Sequence, residues 1–421
     1  LNNNITTSGT SNFGNGIYLY TALKNNITGN TIATLGPYGY AFYIQADSDF
    51  NTIINNNITT SGQYGHGVYI FQNSKSNILI NNNITTSNTD AYGIYLYTTL
   101  NNNITDNTIA TSGARSYGIY LASNSNKNTF SNMSVKTTGT GVPIYIADTN
   151  HNFTFRDSIL NASNVKAKEI NITNIVKGGN WNFTNVTKSN GSKIQVSWKA
   201  GGNGTLNMHW YLDVNVSTTA YVPLVNANVS SWDKYDRYKF SKLTSAQGRI
   251  PRQTLLEFRR NRTYTNYTTP HTINVTLLTY DNETRTVNLT NTLNTFLTVN
   301  LSESLAPNIT LISPADGYST TSTSVTFSFN VTDASVTNCS LYVDGSRTAF
   351  NSSVNITGGT TSFTNTTTTA LHTWQVNCTD FVGNKGNSSV RSFTITSVAA
   401  PAAEITGGGG GGAAPGLPVN F

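Results

Sequence analysis

The chain has 421 residues, of which only 10% are charged, and a formal net charge of +6. So sparse a charge excludes a strongly acidic, salt-adapted surface, and it excludes the broad basic stripe of a nucleic-acid binder. With 22 Tyr and 18 Phe the chain also carries too many rings for a disordered polar tract. The length suggests two to four domains, expected to be β-rich with a neutral surface of hydroxyls and amides.

The sequence opens at "LNNNITTSG", inside a repeat and without Met, and reads as a piece of a longer precursor. From there to about residue 160 three short words return. The first is "GIYLY", then "AFYIQ", "GVYIF", "GIYLY", "GIYLA" and "PIYIA". Its tyrosines are Tyr18, Tyr43, Tyr69, Tyr95, Tyr120 and Tyr145, spaced by 25 or 26 residues. The second, "NNNITTS" or "NTIATS", aligns Ile5, Ile32, Ile58, Ile84 and Ile109, with Val135 as a weaker sixth copy. The third supplies Ile27, Ile53, Ile78, Ile104, Phe130 and Phe153.

Three strand words per period, parted by Asn, Gly and Ser turns, predict a parallel β-helix of three strands per coil. Alternation sends the aliphatics on either side of each tyrosine into the lumen and the tyrosines outward, as a column with one ring per coil. The Gly before the apolar pair in four of the six copies suits either a left-handed corner or a close approach to a neighbour. The Asn runs belong at the other corners, where Asn tolerates the left-handed conformation and its amides ladder. An outward tyrosine column either stabilises neighbouring coils or binds sugars; the structural role is preferred, with sugar or partner docking left open.

These coils resemble the right-handed parallel β-helix repeats of the NosD and pectate-lyase-like superfamily. The resemblance covers about residues 1 to 160. It implies a fold shared by polysaccharide lyases, hydrolases, copper-loading proteins and many surface proteins, so the fold by itself does not give the function.

Glycan hydrolysis would need paired carboxylates ~5 to 9 Å apart on one face. The acids of the coils are Asp47, Asp49, Asp90, Asp106, Asp148 and Asp157, and their repeat positions bring no two to one face of adjacent coils. Arg115 and Lys127, candidate lyase bases, have no acidic cluster beside them in sequence. His66, His151, His209, His271 and His372 are too scattered for a metal-ligand pattern. The chain is expected to be no enzyme and to hold no metal or cofactor.

From Phe155 to Lys199 the repeat decays, and a degenerate coil is expected to cap the solenoid. The β-helix is thus assigned to residues 1–199. Residues 200–305 carry short strands at sandwich spacing. The words "VNANV" from Val225, the run Thr244 to Arg249 and "PHTINVT" resemble a carboxypeptidase-regulatory-like domain, which implies a spacer. The basic cluster Arg249, Arg252, Arg259, Arg260 and Arg262 lies here and is read as a solvated loop or subunit contact.

Residues 306–398, from "APNITLISPADGYS" to "LHTWQVNCTDFVGN", resemble bacterial and archaeal immunoglobulin-like surface domains. That resemblance implies a disulfide from Cys339 to Cys378 tying two sheets beside Trp374. Residues 399–421 form a Gly-rich tail, expected to be flexible. No apolar run approaches the ~20 residues of a membrane span. The expected fold class is therefore all-β, a right-handed parallel β-helix followed by two antiparallel β-sandwiches.

The sequence holds 29 Asn-x-Ser/Thr sequons, where random order would give about 16. Candidate glycosylation sites include Asn57, Asn83, Asn103, Asn132, Asn203, Asn215, Asn266, Asn282, Asn338 and Asn387. A half-buried strand favours the same polar-apolar-polar pattern without any sugar. The layout as a whole resembles archaeal surface proteins. It points to an extracellular structural or adhesive glycoprotein that self-assembles into a homopolymer or layer (S-layer, sheath or filament). The alternatives are a carbohydrate-binding surface protein using the tyrosine face, and a polysaccharide lyase or hydrolase.

Overall fold

The computed structural model of the protein describes residues 2–9, 13–147, 152–163, 168–173, 179–199, 201–333, 335–354 and 357–398. Asp148, His151 and the tail 399–421 lie outside them. The fold is all-β, with no helix among the described residues, and no helix is long and apolar enough to cross a membrane.

The first part is a parallel solenoid. One sheet stacks eight strands: Ile17–Tyr20, Phe42–Gln45, Val68–Phe71, Ile94–Tyr97, Ile119–Ala122, Ile144–Ala147, Ile170–Thr173 and Val196–Trp198. Their register pairs Tyr18 with Tyr43, Tyr43 with Tyr69, Tyr69 with Tyr95, Tyr95 with Tyr120 and Tyr120 with Tyr145. The flanking residues Phe42, Ile44, Val68, Ile70, Ile94, Leu96, Ile119, Leu121, Ile144 and Ile146 are fully buried. The second word pairs Ile5, Ile32, Ile58, Ile84, Ile109 and Val135 in register, coil upon coil.

The third word differs from its reading. Its lumen column is Ile27, Ile53, Leu79, Ile104, Phe130 and Phe155. Ile78 pairs with Thr52 and Asn103 at outward positions, and Phe153 pairs with Asn128. The register is set by a buried asparagine two residues earlier in the middle coils: Asn51 before Ile53, Asn77 before Leu79, Asn102 before Ile104.

These asparagines and a second set form two ladders, the step from Asn77 to Asn102 being made by the Asn77 backbone N–H at 2.9 Å. Asn51 Nδ2 donates to Asn77 Oδ1 at 3.1 Å and Asn102 Nδ2 to Asn128 Oδ1 at 3.0 Å. In the second ladder Asn30, Asn56 and Asn82 donate in turn to Asn56, Asn82 and Asn107 at 3.0, 3.0 and 2.9 Å. The left-handed corner falls on the residue before the ladder member, as at Asn55, Asn81 and Asn101 with φ of 55°, 52° and 56°. The glycine of the first word serves close approach. A Cβ on Gly93 would strike the Ile109 side chain and come 2.6 Å from the Gly118 carbonyl oxygen.

The coils do not stop at residue 160. The Phe153–Ala162 strand spans the second and third columns together, bending at the left-handed Asp157, and Gly179–Thr187 repeats the pattern. The 15-residue strand Gly204–Thr218 then pairs parallel with Gly179–Thr187 and antiparallel with Gln253–Arg260. Gln253–Arg260 thus covers the edge that the sequence reading gave to a degenerate coil before residue 200. Beyond it a second sheet follows the order Tyr238–Leu243, Asn228–Trp232, His271–Thr276, Glu283–Val287. Lys193, on a loop of the last coil, bonds Glu257 Oε1 at 2.6 Å, while Trp210 Nε1 donates to Glu257 Oε2 at 2.6 Å.

The chain divides into two compact units, residues 1–277 with 282–301, and 278–281 with 302 onward. The second unit is an antiparallel sandwich. Asn308–Ser313, Ser324–Thr332 and Thr357–Thr366 make one sheet. Val336–Val343, Leu371–Asp380 and Arg391–Ile395 anchor the other, around buried Phe327, Phe329, Trp374 and Phe393. The Cys339–Cys378 disulfide is present, with Cα atoms 4.1 Å apart. It joins directly paired residues on neighbouring strands of one sheet, so it staples a ladder and does not tie the two sheets together.

Candidate functional site

The tyrosine-bearing sheet presents two aromatic columns. The expected one stacks nearly face to face: Tyr18 on Tyr43 at 5.1 Å, Tyr43 on Tyr69 at 5.3 Å, Tyr69 on Tyr95 at 4.5 Å and Tyr95 on Tyr120 at 4.8 Å, with ring planes within 23°. The second stands three residues earlier in each coil. Tyr40 stacks on His66 at 5.1 Å, His66 on Tyr92 at 4.6 Å and Tyr92 on Tyr117 at 5.2 Å. The columns lock edge to face, as where Tyr92 meets Tyr120 at 4.7 Å. In the sixth coil Val142 takes the second column's place, and Tyr145 stacks on Tyr117 at 4.2 Å, meeting Tyr120 edge-on. The repeat "Y-x-x-Y" at Tyr40, Tyr92 and Tyr117 was a visible signal for this second column. His66 and the unmatched end coils obscured it.

Packing on this scale changes the titration of the rings. Burial pushes Tyr40 up to about 12 and raises Tyr43, Tyr69, Tyr92 and Tyr117 as well. Burial also pushes His66 down to about 3, leaving it neutral. Its Nδ1 accepts the Tyr92 amide N–H at 3.0 Å, which places the ring proton on Nε2.

Within the columns each ring face is covered by the next ring at about van der Waals spacing. A pyranose stacks on an open aromatic face, and here the middle rings offer edges and hydroxyls. At the column's start Tyr18 and Tyr20 are 50% and 58% exposed, and Tyr18 Oη donates to Gln45 Oε1 at 3.1 Å.

A separate cleft of about 590 Å³ lies beside the Gly204–Thr218 strand, lined by Asn182, Asn207, His209, Arg259, Arg260 and Tyr264. Asn180 and Asn182 continue it into a second hollow of about 430 Å³ that reaches Lys127. Burial holds His209 below the usual imidazole range. Of the basic cluster, Arg259 and Arg260 thus face this cleft. Arg252 forks onto Asp213 at 3.0 and 2.9 Å.

Three of the described coil acids engage separate partners. Asp90 pairs with Arg115, and Asp49 with Lys75 at 3.5 Å. Asp157 accepts from Tyr211 Oη at 3.0 Å and from Asn185 at 2.7 Å. His271 Nε2 lies 2.9 Å from the Leu256 carbonyl oxygen, and His372 Nδ1 2.7 Å from Asp344.

The sequon asparagines sort cleanly from the ladder asparagines. Asn57, Asn83, Asn103, Asn132, Asn203, Asn266, Asn282 and Asn387 are exposed, and Asn215 and Asn338 half-buried. No ladder asparagine begins a sequon, because the residue two positions on points into the lumen and is apolar.

The stacked coils define the class of the N-terminal part as a right-handed parallel β-helix. Residues 2–160 match the family model described as "Right handed beta helix region". No curated protein matches the chain. Among solved structures, the fibronectin(III)-like modules of CbhA from Clostridium thermocellum are 9% identical, covering 44% of this chain and 89% of theirs, at a TM-score of 0.20. BcpA, the major pilin subunit of Bacillus cereus, is 13% identical over 45% of this chain and 69% of its own, at 0.22. The TIE protein of Bacillus anthracis is 11% identical over 50% of this chain and 34% of its own, at 0.20. At such scores the similarity carries no functional argument.

Proposed function

We propose that this chain is an extracellular structural or adhesive glycoprotein of a cell surface, not an enzyme, and a subunit of a homopolymeric layer, sheath or filament. One observation carries this reading. The solenoid's wall is spent on stability, with the aromatic rings stacked on one another and the ladder amides bonded in series, while the coil sequons Asn57, Asn83, Asn103 and Asn132 are exposed. Glycans on those positions keep a sparsely charged surface hydrated. The immunoglobulin-like and archaeal resemblances of the sequence agree with such a role. The test is imaging of the protein from its native source at rising concentration, with glycopeptide mass spectrometry of the same sample. Ordered polymers carrying glycans on outward asparagines are expected. A permanently monomeric, unglycosylated particle would overturn the reading.

A carbohydrate-binding role is the second reading, and the cleft favours it more than the tyrosine columns do. Asn side chains, Arg259, Arg260 and the exposed ring of Tyr264 together suit an acidic saccharide. Binding lost in Arg259→Ala with Arg260→Ala, and kept in Tyr69→Ala and Tyr95→Ala, is the pattern this reading requires.

A further inference from the structure

Three carboxylates from distant parts of the sequence meet inside the C-terminal sandwich unit. Glu303 precedes the Asn308–Ser313 strand and is bridged to Tyr280 through the backbone. Asp333 follows the Ser324–Thr332 strand, and Asp380 ends Leu371–Asp380. One oxygen from each lies within 4.8 Å of the others.

Their remaining valences are incompletely used. Asp380 is 2% exposed; its Oδ1 accepts the amides of Val382 and Asn384 at 3.0 and 2.8 Å, and its Oδ2 is buried with no hydrogen-bond partner. Asp333 Oδ1 accepts the Ser335 amide at 2.8 Å, and its Oδ2 is likewise buried and unpaired. Glu303 accepts from Thr279 Oγ1 at 3.0 Å and from the Ser335 hydroxyl. The ion pairs among the described residues all form elsewhere, so no Lys, Arg or His neutralises the trio. Buried Glu303 and Asp380 beside half-buried Asp333, without a counter-charge, repel one another and are poorly solvated. Two remedies exist: a shared proton or a cation.

We propose that Glu303, Asp333 and Asp380 form a site for a hard divalent cation, with Ca²⁺ the favoured occupant. All the donors are hard carboxylate oxygens, the set Ca²⁺ and Mg²⁺ prefer over Zn²⁺ or Cu²⁺. Ca²⁺ takes about six to eight oxygens at about 2.3–2.6 Å in a flexible shell, whereas Mg²⁺ demands a near-ideal octahedron at about 2.0–2.1 Å. With one oxygen from each carboxylate within 4.8 Å of the others, a single ion can reach all three, and donors drawn from three unlike segments suit the ion with the looser geometry. The cation would hold three chain segments at one end of the sandwich, much as the disulfide holds two strands within its sheet.

The full chain is titrated with Tb³⁺ under tyrosine excitation, then with CaCl₂, and melted in CaCl₂ and in EDTA. Tyr280 beside Glu303 serves as the sensitiser. Expected are terbium emission displaced by Ca²⁺, affinity weakened at least about 10-fold in Glu303→Gln and in Asp333→Asn, and a melting temperature raised by calcium. The variants should also reverse sign, melting above the wild type in EDTA and below it in calcium. Asp380→Asn keeps the Oδ1 that holds the Val382 and Asn384 amides, so it tests the third ligand in a folded protein. A melting temperature indifferent to calcium, or terbium emission that survives all three substitutions, overturns the site in favour of the shared proton.

Discussion

Asn82 and Asn83 are neighbours in one word of the repeat and have opposite roles. Asn82 Oδ1 accepts both the backbone and side-chain amides of Asn56 at 3.0 Å, and its own Nδ2 donates to Ile53 O and Asn107 Oδ1 at 2.9 Å. Asn82→Ala leaves several buried groups unpaired and is expected to cost about 3 kcal/mol. Asn83→Ala, on the outward side, should stay within about 0.5 kcal/mol. Urea unfolding of the two variants checks the contrast; equal losses would mean that the ladder contributes nothing. His66 supplies a second residue-scale test. Its ordinary pKa of 6.5 falls to about 3 in the fold. Between those values the unfolded chain binds a proton that the native chain refuses. Its contribution is therefore complete above about pH 6.5 and is lost as pH falls toward 3, by up to about 1.4 kcal/mol per unit. Of the rings around it, Tyr40, Tyr69 and Tyr92 are raised by burial far above that window and stay neutral through it. His66→Asn keeps an acceptor for the Tyr92 amide, as Asn15 Oδ1 does for the Tyr40 amide at 3.1 Å, and removes the titration. A shallower acid limb of stability against pH is expected in the variant; an unchanged limb would refute the assignment.

At the scale of the strand, register decides which sequons can be used together. Asn57 and Asn83 are paired on adjacent coils, and Asn83 Nδ2 donates to Asn57 Oδ1 at 3.0 Å. Adjacent strands stand about 4.8 Å apart, too close for two branched glycans to leave side by side. Single molecules should carry a glycan on one or the other, and Asn57→Gln should raise occupancy at Asn83. A glycopeptide spanning both sites and doubly occupied would contradict this. The same strand-scale view explains what could be read in advance. The Tyr and Ile columns were legible because each coil repeats them at nearly constant spacing. The second aromatic column was obscured by its interruptions at Asn15, His66 and Val142, and the placing of Leu79 depended on seeing Asn77 as a ladder residue. The strand pattern of Gly204–Thr218 is plain in its alternation, yet its partner Gln253–Arg260 lies some forty residues on, across turns that carry no pairing signal. Glu303, Asp333 and Asp380 are separated by whole strands, so only the fold brings them together.

At the scale of the molecule the question is how many cooperative units the chain holds. A division at residues 200 and 306 implies three, one for each expected domain. The strand Gly204–Thr218 belongs to both the last solenoid coil and the first sandwich, and Lys193 is bonded to Glu257 and to the Leu289 carbonyl at 2.7 Å. Unravelling the final coil would therefore strip a ladder from that sandwich and expose the buried Glu257 without its cation, a costly combination. The solenoid and first sandwich should melt together, and the unit of residues 278–281 and 302 onward should melt separately. The disulfide offers a way to label the second transition. Its cysteines are 39 residues apart, and closing a loop of that length contributes about 4 kcal/mol in the chain-entropy model. For a unit of roughly a hundred residues the loss lowers the melting temperature by about 15 °C or more. Calorimetry of the wild type should show two transitions. Replacing Cys339 and Cys378 together by Ser should move one of them and leave the other in place. Three transitions would show that the shared strand does not couple solenoid and sandwich, and a shift of both on loss of the disulfide would show that the second unit does not melt independently.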